Sequence, residues 1–96
     1  MFRHCVMFRW NDGVDDGIKG EISAALDRMA ALPMVHDYSH SSDAGVSDGN
    51  FDYAVVADFA NIDDYRSYAV EPSHVEMINN LLKPNIAARS AVQYEL

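Results

Sequence analysis

The chain has one cysteine, few basic residues and no long apolar run, and each of these shortages excludes a class of protein. Cys5 is the only cysteine among 96 residues, so no internal disulfide can form. Seven basic residues, scattered singly, stand against 15 acidic ones and leave a formal net charge of -8. Because phosphate groups are bound by basic surfaces, we expect neither nucleic acid nor an anionic membrane as a partner.

The sequence indicates neither a membrane helix nor a signal peptide. No stretch approaches the ~20 apolar residues that a membrane-spanning helix requires. The first residues lead directly into an alternating pattern instead of the apolar run of a signal peptide. Hydrophobic residues make up 49% of the chain, which is typical of a globular protein. The sequence therefore predicts a single domain, residues 1–96, in the cytoplasm.

Two helical regions are predicted from hydrophobic spacing and capping residues. The first begins at an N-cap, either Asp15 or Asp16, carries apolar residues at helical spacing and ends at Pro33. The second begins at Asn61 as N-cap, with Asp64 at the reciprocal position. A later proline divides this second region into two short helices.

Four segments have the composition or the alternation of β-strands, namely residues 2–10, 34–42, 51–60 and 86–96. Together with the helices they give the order βαββαβ. This order is typical of a ferredoxin-like α+β fold, in which a four-stranded antiparallel sheet carries its helices on one face.

Both faces of the predicted sheet are apolar. The face assigned to the helices receives from the first strand Phe2, His4, Val6, Phe8 and Trp10. The opposite face includes Cys5 and Met7 from the first strand, and Ala54 and Val56 from the third. A sheet with helices on one side normally shows polar residues to water on the other. Since no further helix is available, we expect a homodimer through the helix-free face, which gives a dimeric α/β barrel; the alternative is a monomer with a small-residue outer face.

The stretch "YRSYAVEPSHVEM", residues 65–77, contains Tyr68 and His74 six positions apart. In one continuous helix the two side chains would point about 120° apart and lie ~9 Å apart along the axis. Pro72 lacks an N–H group and pushes Glu71 out of the α region, so the helix must break between them. We therefore predict a first helix that ends near residue 68 or 69.

The second short helix is predicted to begin at residue 72 or 73, with Val75, Ile78 and Leu82 on one face. His74 then lies in its first turn, where the positive end of the helix dipole favours a neutral imidazole. A general base requires this neutral form, and a nearby Tyr68 would donate a hydrogen bond to a carbonyl or enolate oxygen.

These residues predict a pocket between the sheet and the helices, lined by His4, Phe8, Tyr68 and His74. The alternative is structural. A histidine on an aromatic strand face is often a hydrogen-bonded core residue, and His74 and Tyr68 would then be a boundary residue near a helix cap and a half-buried aromatic.

No metal site is predicted. In "HDYSH", His36 and His40 are four residues apart, which on a strand separates their Cα atoms by ~13 Å, too far for one ion. The carboxylates of Asp12, Asp15 and Asp16 are interpreted as a solvated loop.

Three stretches give the chain a family resemblance: "HCVMFRW" at the start, "FDYAVVADF" in the middle, and "YAVEPSHVEM" followed by a closing strand that ends in Tyr94. They resemble the stress-responsive α/β-barrel domain family, often called Dabb. The resemblance covers nearly the whole chain, and its most specific part is the spacing of Tyr68 and His74 around "PSHV". It implies a ferredoxin-like subunit whose sheet pairs with a partner's sheet in a dimeric barrel.

The resemblance also implies a range of functions, since most members of the family have no assigned reaction. A plant member acts like a polyketide cyclase, closing a linear poly-β-ketone by aldol chemistry. By this analogy His74 is the base, Tyr68 the orienting or oxyanion group, and His4 a supporting residue. The substrate-binding wall is assigned to Phe8, Trp10, Tyr65 and Val75.

Three functions follow from this interpretation. The first is cofactor-free, base-catalysed chemistry on a small hydrophobic carbonyl compound, a cyclase or lyase step. The second is a non-catalytic stress or ligand-binding protein that uses the same pocket. The third is a cofactor-independent monooxygenase with Trp10 and the tyrosines as pocket wall.

Overall fold

The computed structural model describes residues 1–96 and contains four strands and three helices. The elements follow one another as β1 (Phe2–Trp10), α1 (Asp16–Ala30), β2 (Asp37–Ser42), β3 (Tyr53–Phe59), α2 (Ile62–Ala69), α3 (Pro72–Met77) and β4 (Ile86–Glu95). A π-helical turn, Ile78–Leu82, and a 3₁₀ turn, Lys83–Asn85, connect α3 to β4. None of the helices is long and apolar enough to cross a membrane.

The strands form one antiparallel sheet in the order β2-β3-β1-β4. This topology confirms the predicted ferredoxin-like α+β fold. The second strand is shorter than predicted, because the N–H of Val35 donates to the carbonyl of Leu32 in the turn after α1, and strand geometry begins only at Asp37.

The core lies between the sheet and the helices. Helix α1 contributes buried side chains at positions 22, 25, 26 and 29, which is the spacing of one helical face. The sheet contributes Phe8 and Phe59, both with no exposed surface, and Phe8 stacks on Tyr53 with ring centroids 5.1 Å apart. The helix-facing side of β1 is therefore the core side, as predicted.

Capping residues set the helix starts. Asp15 Oδ1 accepts a hydrogen bond from the N–H of Ile18 at 2.8 Å, and Asn61 Oδ1 accepts one from the N–H of Asp64 at 2.8 Å. Both predicted N-caps are thus confirmed, with Asp15 rather than its neighbour in that role for α1. Each cap satisfies a backbone donor that the helix itself leaves free.

The predicted break at Pro72 is also confirmed, since α2 ends at Ala69 and α3 begins at Pro72. Glu71 is the N-cap of α3, and its Oε2 accepts hydrogen bonds from the N–H groups of Ser73 (2.8 Å) and His74 (3.3 Å). This cap fixes the start of α3, and with it the direction of His74.

The predicted inner face of the second short helix is wrong in one residue. Val75 is 40% exposed, whereas Met77 and Leu82 are buried. Because the helix starts at position 72, its inner face consists of residues 74, 77 and 78, and position 75 is rotated by about 100° away from residue 74.

The helix-free face of the sheet carries exposed apolar side chains, namely those of Met7 (44% exposed), Val92 (61%) and Tyr94 (44%). Val92 pairs with Cys5 and Tyr94 with Arg3, so all three share one face. A bidentate ion pair crosses this face, with Arg3 donating from Nε and Nη2 to Asp58 at 2.7 and 2.8 Å. The face predicted to be apolar therefore carries exposed apolar side chains around one ion pair.

Candidate active site

A cavity of about 240 Å³ lies between the sheet and the helix layer, and most of its lining is hydrophobic. Of the site residues predicted from sequence, five contribute to it: His4, Phe8, Tyr65, Tyr68 and His74. They come from β1, α2 and α3, so the cavity lies between the first strand and the two short helices.

The helix break brings Tyr68 and His74 together, with ring centroids 4.2 Å apart and planes inclined by 43°. Nδ1 of His74 lies 3.3 Å from the carbonyl oxygen of Ala69. Because a carbonyl oxygen only accepts, this contact assigns the proton to Nδ1 and leaves the lone pair on Nε2. No buried side-chain nitrogen or oxygen lacks a partner, so the unpartnered Nε2 keeps accessible surface on a ring that lines the cavity.

Both histidines of the cavity are neutral at neutral pH. Burial lowers the pKa of His74, and this effect outweighs the carbonyl of Ala69 and the carboxylate of Glu71, which favour the charged form. Burial lowers the pKa of His4 to about 4, with smaller contributions from the charges of Arg89 and His74. The imidazole of His74 therefore has the protonation state of a base.

Tyr38 is a member of the site that sequence analysis missed. Its hydroxyl oxygen lies 3.3 Å from that of Tyr68, and burial raises the pKa of both phenols, so both stay protonated. One hydroxyl hydrogen is used between the two oxygens, which leaves one to donate into the cavity. The alternation of β2 places Tyr38 on the helix side of the sheet, but only the strand order reveals that it meets α2.

Gln93 is a second residue that the sequence did not indicate. β4 pairs with β1 so that Gln93 lies opposite His4, and its Nε2 donates to Nδ1 of His4 at 2.9 Å. The ring of His4 also packs on Tyr65, with centroids 5.0 Å apart. This support fixes the orientation of His4 and leaves the proton of its neutral ring on Nε2.

Two predicted wall residues lie outside the cavity lining. Trp10 packs against Phe8 and Tyr53, with ring centroids 5.1 and 5.8 Å away, and its pairing with β4 is shifted by an irregularity in register. Val75 is 40% exposed, because position 75 is rotated away from the inner face of α3. The pocket wall expected for a monooxygenase therefore lacks its tryptophan.

His40, considered above for a metal pair with His36, uses both ring nitrogens within the protein. Nδ1 lies 2.6 Å from the hydroxyl of Tyr53, and Nε2 lies 2.6 Å from Oδ1 of Asp27. These contacts connect α1 to strands β2 and β3.

Comparisons with known proteins agree with this architecture. The family described as Stress responsive A/B Barrel Domain (Dabb) matches residues 2–96. A dimeric ferredoxin-like protein of unknown function from Thermobifida fusca is 38% identical, and the alignment covers 99% of this chain and 90% of that one with a TM-score of 0.91. No curated protein matches the sequence.

Two further solved structures share the fold at lower identity. A Dabb family protein from Mesorhizobium loti is 16% identical, over 99% of this chain and 95% of that one, with a TM-score of 0.85. The hydroxynitrile lyase from Passiflora edulis is 17% identical, over 97% of this chain and 90% of that one, with a TM-score of 0.85.

Proposed function

This chain belongs to the stress responsive A/B barrel domain family, and we propose that its cavity catalyses the making or breaking of a carbon–carbon bond next to a carbonyl carbon, as a cofactor-free aldol-type cyclase or lyase. The observation that carries the proposal is the neutral His74, whose ring lines an apolar cavity beside a paired phenol and whose Nε2 has no hydrogen-bond partner. A hydroxynitrile lyase with the same fold supports the lyase form of the reaction.

In the lyase form, Nε2 of His74 takes the hydroxyl proton of a cyanohydrin. The oxygen lone pair forms the carbonyl double bond, the bond to the nitrile carbon breaks, and cyanide leaves with the electron pair. The imidazolium then returns the proton to cyanide, which gives an aldehyde and hydrogen cyanide and restores the neutral base. A low pKa of His74 favours this return step, because an acidic imidazolium donates its proton readily.

In the aldol form the same groups act on a different proton. Nε2 of His74 takes a proton from the carbon next to a carbonyl, and the phenol pair donates its free hydrogen to the enolate oxygen. The enolate carbon attacks a second carbonyl, and the imidazolium protonates the new alkoxide. In the lyase form, too, negative charge develops on the substrate oxygen as its proton is taken, and the phenol pair donates its free hydrogen there. Both forms therefore need a base at position 74 and a donor at position 68, and both predict the same sensitivity to substitution.

The experiment is cleavage of mandelonitrile, followed by the ultraviolet absorbance of benzaldehyde with the spontaneous rate subtracted. We expect turnover by the wild type and its loss in His74→Ala. His36→Ala is the matched control, because His36 is exposed and outside the cavity, and it is expected to leave the rate unchanged.

Turnover that survives His74→Ala would refute the assignment of the base. If mandelonitrile is not cleaved, the same variants are tested for cyclisation of a linear triketone. Failure of both reactions with retained ligand binding would establish the non-catalytic binding protein in place of the enzyme.

We also propose that two copies of the chain pair through the helix-free face. The exposed Met7, Val92 and Tyr94 and an open groove of about 640 Å³ on the same face support this arrangement. The relative from Thermobifida fusca, 38% identical, is described as dimeric. Burial of this face would remove apolar surface from water that one copy leaves exposed.

A further inference from the structure

The charges around the cavity have a different balance from those of the whole chain. Fifteen of the 96 residues are acidic, yet none of the cavity-lining residues is an aspartate or a glutamate. The charged residues in the lining are Lys83 and Arg89, and both are exposed at its rim.

Neither rim cation forms a salt bridge, whereas four of the other five basic side chains are engaged, Arg28 being the exception. Arg3 pairs with Asp58, Arg66 with Asp63, and the ammonium group of Lys19 lies 5.7 Å from the ring centre of Trp10. Two of the three unpaired basic side chains of an acidic protein therefore lie on one cavity.

Strand pairing explains how the guanidinium of Arg89 comes to the cavity. Arg89 lies opposite Phe8, and Gln93 opposite His4, so Arg89 and Gln93 share the helix side of β4. Lys83 approaches from the 3₁₀ turn that precedes β4. Arg89 lines the cavity together with His4 and His74, and its charge makes a small contribution to the lowered pKa of both imidazoles.

We propose that the ligand of this cavity carries a carboxylate, bound by the guanidinium of Arg89 with Lys83 as a second contact, in addition to the carbonyl that faces Tyr68 and His74. A guanidinium matches a carboxylate with two parallel hydrogen bonds, and no acidic side chain of the lining competes for it. The mostly hydrophobic lining and the volume of about 240 Å³ select a small keto acid with an aromatic or short aliphatic body.

The position of the carbonyl rests on the proposed function, while the requirement for negative charge does not. The test is therefore binding, measured by isothermal titration calorimetry with 4-acetylbenzoate and with 4-acetylbenzamide, its neutral counterpart of the same shape. We expect the acid to bind at least tenfold more tightly than the amide, and the difference to shrink with added sodium chloride.

Arg89→Gln is expected to weaken binding of the acid about tenfold and to leave binding of the amide unchanged. Arg89→Lys keeps the charge and loses the planar fork of the guanidinium. Its affinity for the acid is expected to lie between those of the wild type and Arg89→Gln. Arg66→Gln removes an exposed arginine outside the cavity and is the control. Thermal unfolding of each variant checks that the fold is retained.

Equal affinity for acid and amide would overturn the inference, as would equal weakening of both by Arg89→Gln, or no binding of either probe. The failure of the proposed function has a separate signature. Acid-selective binding without turnover of any carbonyl substrate would support the carboxylate site and refute the catalysis. Turnover of neutral substrates without a preference for the acid would support the catalysis and refute the carboxylate site.

Discussion

Nδ1 of His74 lies 3.3 Å from the carbonyl oxygen of Ala69, across the break between α2 and α3. The end of one helix thus orients the base at the start of the next. Burial disfavours the imidazolium more than the carbonyl of Ala69 and the carboxylate of Glu71 favour it, so the pKa of His74 is lowered and the base is weak. A weak base suits substrates whose protons are already acidic, such as cyanohydrins and β-dicarbonyl compounds.

The pH dependence of turnover follows from the lowered pKa of His74. Because the base acts in its neutral form, we expect kcat/KM to rise with pH through the pKa of His74 and to level off above it. The midpoint is expected below 6.5, the ordinary value for histidine. Measurements over the acidic range, compared with an NMR titration of the His74 ring, test this; a midpoint at or above 6.5 would contradict the protonation state assigned here.

Tyr68→Phe removes the hydroxyl that donates to a developing oxyanion. We expect it to lower kcat about 100-fold with little change in KM. Tyr38→Phe keeps the hydroxyl of Tyr68 and removes only its neighbour, so its effect is expected to be under about tenfold. Tyr94→Phe, on the helix-free face, is the control. The same loss in all three variants would show that these hydroxyls act on stability and not on chemistry.

His4 makes the free energy of unfolding depend on pH. Its folded pKa of about 4 lies below the ordinary 6.5, so between these values the unfolded chain binds more protons than the folded one. Stability is therefore fully present above pH 6.5 and falls, by up to about 3 kcal/mol, as the pH drops toward 4. Urea unfolding of wild type and His4→Gln, at several pH values, is expected to show a smaller pH dependence in the variant.

The matched variant for this experiment is His36→Gln, since His36 is exposed. Its free energy of unfolding is expected to depend on pH as that of the wild type does. A His4→Gln curve parallel to that of the wild type would mean that another group carries the acid sensitivity.

Two exposed valines test the proposed dimer. Val92, on the helix-free face, is 61% exposed, and Val70, at the end of α2, is 73% exposed. In light scattering at micromolar concentration we expect a dimer for wild type and Val70→Asp, and a monomer for Val92→Asp, because a charge buried at an apolar contact is costly. A wild type with one chain per particle would refute the dimer.

Local sequence patterns predicted much of the fold. Alternation gave the strands, and the capping residues Asp15 and Asn61 and the break at Pro72 follow from chemistry within a few positions of each residue. His74 and Tyr68 were found for the same reason, since the break that joins them lies between them in the chain.

Residues that reach the cavity through strand pairing could not be predicted in this way. Tyr38, Arg89 and Gln93 depend on the strand order and on the register of β4 against β1, and neither is encoded within a local window. Trp10 and Val75 lie outside the cavity lining for a similar reason, because a register shift in one case and the exact start of a helix in the other decide where the side chain points.

The hydrogen bond from Gln93 to His4 joins residues 89 positions apart. β4 follows every other element, and its place beside β1 closes nearly the whole chain into one loop, which is an entropically demanding step in folding. Until that step is complete, His4 lacks its amide partner and the cavity lacks Arg89. When refolding is monitored by ligand binding, we therefore expect it to be slower than when it is monitored by helix content. The ability to bind ligand is then acquired last.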